Sequence, residues 1–259
     1  LVQKVLHQQG EAVTKSLLAV LLYLSFAAAA NTEPLAFRVV TELSPPHQTI
    51  KDGKVDGIST QIVIATLKQA GLDSHIEVYP WARSYYIATS MPNVLIYNMA
   101  RTPERENEFH WIGPVANYRL GLVRLTERTD LQPNHIKDLG SAVIAVQRGD
   151  FATSYLQQQG MRIGKELQLS ADILESWRLL MKGKVDYVID DKAALALMER
   201  QLSQPEGSTR FVLAIPALEQ RTYLAASKGT DPQMVKKLQQ AHLQVQKSQL
   251  YKNVMAGRF

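Results

Sequence analysis

Short β-rich runs alternate with stretches of helical periodicity along most of this chain, and no other feature constrains the fold as tightly. Residues 37–40 (FRVV) read as a strand, followed by a proline-rich loop, Ser44-Pro45-Pro46-His47. Asp52-Gly53-Lys54 is a turn, and 58–70 is a helix, apolar on most sides, that Gly71 ends. Residues 77–79 are a short strand, and Pro80 then precedes a helix over 81–89. Residues 94–97 (VLIY) have no polar face, the pattern of a strand inside a covered parallel sheet. Further strands are predicted at 120–125, 143–146, 185–189 and 223–226, with a helix over 192–202. Ile173, Leu174, Trp177, Leu180 and Met181 share one helical face. Asp231-Pro232 opens a helix whose apolar face is Met234, Val235, Leu238, Ala241 and Val245. This alternation gives an α/β protein with mainly parallel sheets. The 259 residues suffice for one large domain or two lobes.

The first thirty residues read as a targeting segment. Lys4 and Lys15 make a weakly positive start, 17–26 (LLAVLLYLSF) is an apolar run, and Ala28-Ala29-Ala30 offers the small residues a signal peptidase needs. The apolar stretch is shorter than the ~20 residues of a spanning helix. A signal over 1–30, cleaved near Ala30, gives an exported protein that starts near Asn31 and lies in the periplasm.

Several chemistries are absent. The chain has no cysteine, which removes thiolate nucleophiles, cysteine-ligated zinc and disulfides. No GxSxG, HExxH or GxxxxGK[ST] occurs, and no two of the six histidines stand at metal-ligand spacing. The net charge of +5 is scattered rather than gathered on one stripe, so nucleic acid is not an expected partner. No metal, no cofactor and no enzymatic activity are expected.

Two stretches carry a family pattern: Met99-Ala-Arg-Thr-Pro-Glu-Arg-Glu106 running to Phe109-His-Trp-Ile-Gly-Pro114, and Ser176-Trp-Arg-Leu-Leu-Met-Lys-Gly-Lys-Val-Asp186 running to Asp190 and Asp191. Asp138-Leu139-Gly140 and Val143-Ile-Ala-Val-Gln-Arg-Gly149 fit the same scheme. In this order and spacing they resemble a divergent branch of the bacterial extracellular solute-binding proteins of family 3, the periplasmic amino-acid-binding type. The resemblance implies a two-lobed periplasmic-binding-protein fold (type II) with a ligand cleft between the lobes. The crossings fall near 120–124 and 216–222, giving lobe 1 as 31–121 with 220–259 and lobe 2 as 122–219.

The resemblance also implies site residues. Arg105, the arginine of T-x-x-R, is the one that grips a ligand carboxylate, and a planar guanidinium fork suits that task. A surface arginine paired with Glu104 or Glu106 is the plain alternative. The acidic residue that takes the ligand's ammonium falls on Asp191, with Asp190 the near alternative and a helix N-cap the plain one. Ser44 and His47 stand where the family has lid aromatics. Ala100, with Asn98 upstream, replaces an expected serine or threonine, and Asp150 and Phe151 follow Gly149 where hydroxyl residues are usual. Trp81-Ala82-Arg83 resembles a Trp-x-Arg signature at the cleft, weighed evenly against Trp81 as core and Arg83 as a solvated residue. Arg101 and Arg148 read as surface before site.

The function implied is a monomeric receptor that captures a small polar, carboxylate-bearing solute, an amino acid or similar. Lobe closure holds the solute, and an inner-membrane ABC permease receives it. A sensory module and an exported enzyme using the same cleft are the alternatives.

Overall fold

The computed structural model describes residues 37–73 and 75–258; the signal segment and the start at Asn31 lie outside the described residues. Strand β1 (Arg38–Thr41) lies between β4 (Ile76–Val78) and β5 (Val94–Ala100), parallel to both. Every residue of β5 is buried, as its unbroken apolar run requires. A second parallel set puts β7 (Ile144–Gln147) between β8 (Leu167–Ser170) and β9 (Tyr187–Asp191). Two long antiparallel strands, β6 (Phe109–Leu125) and β10 (Thr209–Ser227), join the sets into one sheet of order β4-β1-β5-β10-β6-β9-β7-β8. A small hairpin, β2 (Thr49–Lys51) and β3 (Lys54–Asp56), stands apart, and Asp52 and Gly53 both take the positive φ its tight turn demands.

Helices cover both faces of each parallel set. α1 (Ile58–Gln69), α6 (Pro232–Val245) and α7 (Gln249–Met255) back β1 and β5 on one face, around Val39, Leu67, Leu95 and Leu238. α2 (Trp81–Ser90) covers the other, over Val40 and Ile96. In the second set, α3 (Phe151–Gln158) packs on Ile144 and Val146. α4 (Ile173–Met181) and α5 (Leu195–Gln201) pack on Val123, Ala145 and Val188 around the fully buried Trp177. The helix ends follow the sequence chemistry. Past α1, Gly71 N–H bonds Lys68 O and Leu72 N–H bonds Leu67 O, and Gly71 takes φ +65°, a Schellman closure. At α6, Asp231 accepts from the N–H groups of Gln233 and Met234, with Pro232 in the first turn.

Three expectations need correction. The separate short strands at 120–125 and 223–226 are the ends of β6 and β10, which run on through Pro114 and Pro216. Both prolines sit where the ladder shifts register, so neither lacks a hydrogen bond that the sheet requires. The strand expected at 185–189 lies two residues later, so Asp190 and Asp191 end β9 instead of following it. The helix over 192–202 begins as a 3₁₀ turn, Lys192–Ala194. No helix among the described residues is long and apolar enough to cross a membrane.

Candidate functional site

Helices packed behind parallel strands leave the strands' carboxyl ends open, and open α/β sheets bind ligands there. Here both parallel sets deliver such ends to one cavity: Glu42 and Ser44 beyond β1, Asn98 and Ala100 of β5, Gln147 of β7, and Ile189 and Asp190 of β9. Trp81, Arg105 and Asp150 complete its aromatic and charged wall. The free volume is about 60 Å³, room for about four waters.

The walls meet at Gly149. Trp81, buried in the first turn of α2, donates from Nε1 to Gly149 O at 3.1 Å. Arg105 donates from Nη2 to the same carbonyl at 3.4 Å and from Nη1 to Ala100 O at 3.4 Å. Its guanidinium lies 5.5 Å from the centre of the Trp81 ring and 5.0 Å from that of Tyr85, which holds the charge by cation–π attraction at the cavity mouth. Both hydrogen bonds are long, so the donors retain capacity for a better acceptor.

The floor is a connected polar network. Thr222 Oγ1 donates to Asn98 Oδ1 at 3.1 Å, Asn98 Nδ2 donates to the Tyr118 hydroxyl at 3.1 Å, and that hydroxyl donates to Gln48 Oε1 at 3.2 Å. Gln48 Nε2 continues to Thr41 Oγ1 at 2.8 Å. Asn98 achieves this in a left-handed conformation, φ +60°, which asparagine tolerates better than most residues. His47 does not line this cavity. It is buried and stacks on Tyr118 at 4.1 Å, with Nδ1 3.0 Å from Ser59 Oγ, and burial lowers its pKa to about 3. It serves as a neutral aromatic buttress behind Tyr118.

Three carboxyls face the cavity. Glu42 is buried, and burial, with Asp150's charge adding, holds it well above the usual carboxylate range. Asp190 accepts from Trp177 Nε1 at 2.7 Å and from the Asp191 N–H at 2.7 Å, yet burial still pushes it up to about 7. Asp150 is partly buried, caps α3 by accepting from Ala152 N–H at 3.3 Å, and is likewise raised by desolvation.

The structure thus brings Arg105, Trp81, Asn98, Ala100 and Asp150 together, with Asp190 in place of Asp191. Asp191 is spent on the backbone: Oδ2 accepts from Arg119 N–H at 2.8 Å and Oδ1 from Ala193 N–H at 2.9 Å, capping the 3₁₀ turn. Arg83 is exposed and stacks on Tyr79 at 4.2 Å. Phe151 packs on the second-half core beside Tyr155 and lies in the depression outside the mouth. Arg101 pairs with Glu106 at 2.5 Å, and Arg148 is exposed; neither lines the cavity. Sequence reasoning passed over Glu42, Gln147, Tyr118 and Thr222. Glu42 and Gln147 stand at or just beyond strand ends, whereas Tyr118 and Thr222 lie inside the long strands β6 and β10, where no local signal marks them.

No protein-family model and no curated protein sequence matches the chain. Solved structures do. A histidine kinase sensor domain with similarity to periplasmic binding proteins superposes with a TM-score of 0.74 at 18% identity, over 87% of this chain and 96% of its own. An ancestral arginine-binding protein bound to glutamine gives 0.73 at 19% identity, over 86% and 97%. The substrate-binding protein of an amino acid ABC transporter gives 0.71 at 16% identity, over 86% and 98%. The chain therefore has the mixed α/β, two-lobed fold of periplasmic binding proteins.

Proposed function

We propose that this chain is an exported solute receptor: residues 1–30 direct it to the periplasm and are removed near Ala30, and lobes 31–121 with 220–259 and 122–219 close over a small polar, carboxylate-bearing solute for delivery to an inner-membrane ABC permease. The observation that carries the reading is the cavity where both parallel sets end, with Trp81 and Arg105 reaching from one wall to Gly149 on the other. A solute touching both walls favours the closed form by its differential affinity, and that is the whole mechanism. Arg105 is the carboxylate anchor and Asp190 the ammonium acceptor; Ser44, Asn98 and Thr222 add hydrogen-bonding groups at the floor. The amino-acid-binding neighbours support this solute class.

A sensory role is the second reading, supported by the likeness to the histidine kinase sensor domain. Native mass spectrometry of protein purified gently from the periplasm tests the shared core: a small molecule co-purifies and is released unchanged. Conversion of that molecule on incubation overturns the receptor reading. Uptake of the labelled solute separates the two roles, because loss of the chain abolishes uptake for a transport receptor and leaves it intact for a sensor.

A further inference from the structure

Away from the cleft, the two long strands gather positive charge without a counter-charge. Arg124 near the end of β6 and Arg210 at the start of β10 are direct antiparallel partners, so their side chains leave one face of the sheet about 5 Å apart. They stand beside the start of β9, at the other end of that strand from Asp190. Like charges placed directly opposite destabilise a sheet, and an arginine as buried as Arg124, 4% exposed, ordinarily has a carboxylate partner. Neither arginine forms an ion pair among the described residues. Asp130 feels the Arg124 charge, but its carboxylate is taken at 2.9 Å by Arg128, which also holds Asp186 at 3.0 Å. Arg124 has spent only one end of its guanidinium. Nη1 donates to Leu125 O at 2.7 Å and to Thr126 O at 3.0 Å, whereas the buried Nε has no hydrogen-bond partner and Nη2 makes no hydrogen bond among the described residues. The Nε–Nη2 edge left over is one by which a guanidinium takes an oxyanion through two parallel bonds. Both arginines line an open depression of about 630 Å³ with Thr129, Gln132 and Asn134, and no acidic side chain lines it. A buried donor left unpaired is costly, so this one marks a place for an acceptor from outside the chain.

We propose that this depression is a second binding site, separate from the solute cavity, for a tetrahedral dianion of the phosphate or sulfate class. Arg124 meets the ion with its Nε–Nη2 edge, and Arg210, exposed and without an ion pair, swings over it from the opposite strand. The ion then supplies the counter-charge that the chain omits. A carboxylate monoanion would neutralise only one of the two guanidinium groups, so the pair favours a dianion. The site does not depend on what the cleft binds.

Calorimetric titration of the purified chain with inorganic phosphate, sulfate and acetate at constant ionic strength tests this. Phosphate and sulfate are expected to bind about tenfold or more tightly than acetate, the ratio that one charge-assisted hydrogen bond carries. Arg210→Gln, at an exposed position, is expected to weaken phosphate by about tenfold or more. In chloride the same variant melts at or above the wild-type temperature, because the like-charge pair is gone. Arg124→Lys keeps the charge but loses the two-bond edge, so it weakens phosphate as well. Arg105→Ala, in the solute cavity, keeps the wild-type phosphate affinity. Absence of phosphate binding, acetate binding as tightly as phosphate, or an affinity untouched by Arg210→Gln overturns the site. Loss of phosphate binding in Arg105→Ala places the anion in the solute cavity and overturns the site equally, while leaving the receptor reading intact.

Discussion

Arg105 separates a binding site from a decorated surface, because its contacts within the chain are weak and its contacts with a carboxylate would be strong. Its two backbone hydrogen bonds are both 3.4 Å, its guanidinium lies over the rings of Trp81 and Tyr85, and the carboxyl of Asp150 is near enough to feel its charge. Each cation–π contact is worth about 0.5–1 kcal/mol, so Arg105→Ala costs about 1–2 kcal/mol of folding stability. At about 2–4 °C per kcal/mol for a domain of this size, the melting temperature falls by a few degrees. A guanidinium forked onto a carboxylate in a closed, water-poor cleft is another matter. Removing one partner of such a pair costs about 2–5 kcal/mol, or roughly thirtyfold to several thousandfold in Kd. Arg105→Lys keeps the charge but loses the plane and the second parallel bond, so it rescues little. Calorimetric titration of wild type, Arg105→Ala and Arg105→Lys with the co-purified solute reads the difference. Equal affinities across the three proteins would refute the carboxylate anchor.

Two further predictions concern the framework. Burial raises Asp190 to about 7 from its ordinary 3.8, so the folded chain holds a proton that the unfolded chain releases. Asp190's contribution to stability is therefore greatest below about pH 4 and falls as pH rises to about 7. Asp190→Asn removes that ionisation, so its stability relative to wild type should climb between pH 4 and 7 in chemical denaturation; a pH-independent difference would refute the assignment. At Gly113, an added Cβ would lie 2.2 Å from His242 Cδ2. His242 is fully buried, with Nδ1 3.1 Å from Thr66 Oγ1, and cannot retreat. Gly113→Ala should cost about 1–3 kcal/mol in urea unfolding; a wild-type midpoint would contradict the packing of β6 against α6.

The layers of the fold were legible because their signals are local. The unbroken apolar run at 94–97 marked a covered strand, Gly71 closed α1, and Asp231-Pro232 opened α6. What escaped was long-range. Short strands were expected at 120–125 and 223–226, yet both belong to one antiparallel pair whose bulges absorb Pro114 and Pro216, and no single-strand pattern announces a pairing partner about a hundred residues away. The site was half legible for the same reason. Arg105 and Trp81 stood in recognisable motifs, whereas Glu42 is an ordinary acid after a strand until the topology sets it opposite Gln147. Adjacent strand residues point to opposite faces, so the offset of β9 decided between Asp190 and Asp191, and the turn's need for a cap claimed the latter. In Trp81-Ala82-Arg83, two helical steps rotate the side chain by about 200°, which sends the tryptophan inward and the arginine out to solvent.

A crystal structure of the chain grown with its co-purified solute tests the central claim most directly. The account predicts the solute between the two walls, with its carboxylate on two of the Arg105 guanidinium nitrogens and its ammonium at Asp190. A solute bound outside this cavity, or inside it with its carboxylate turned away from Arg105, would contradict the account.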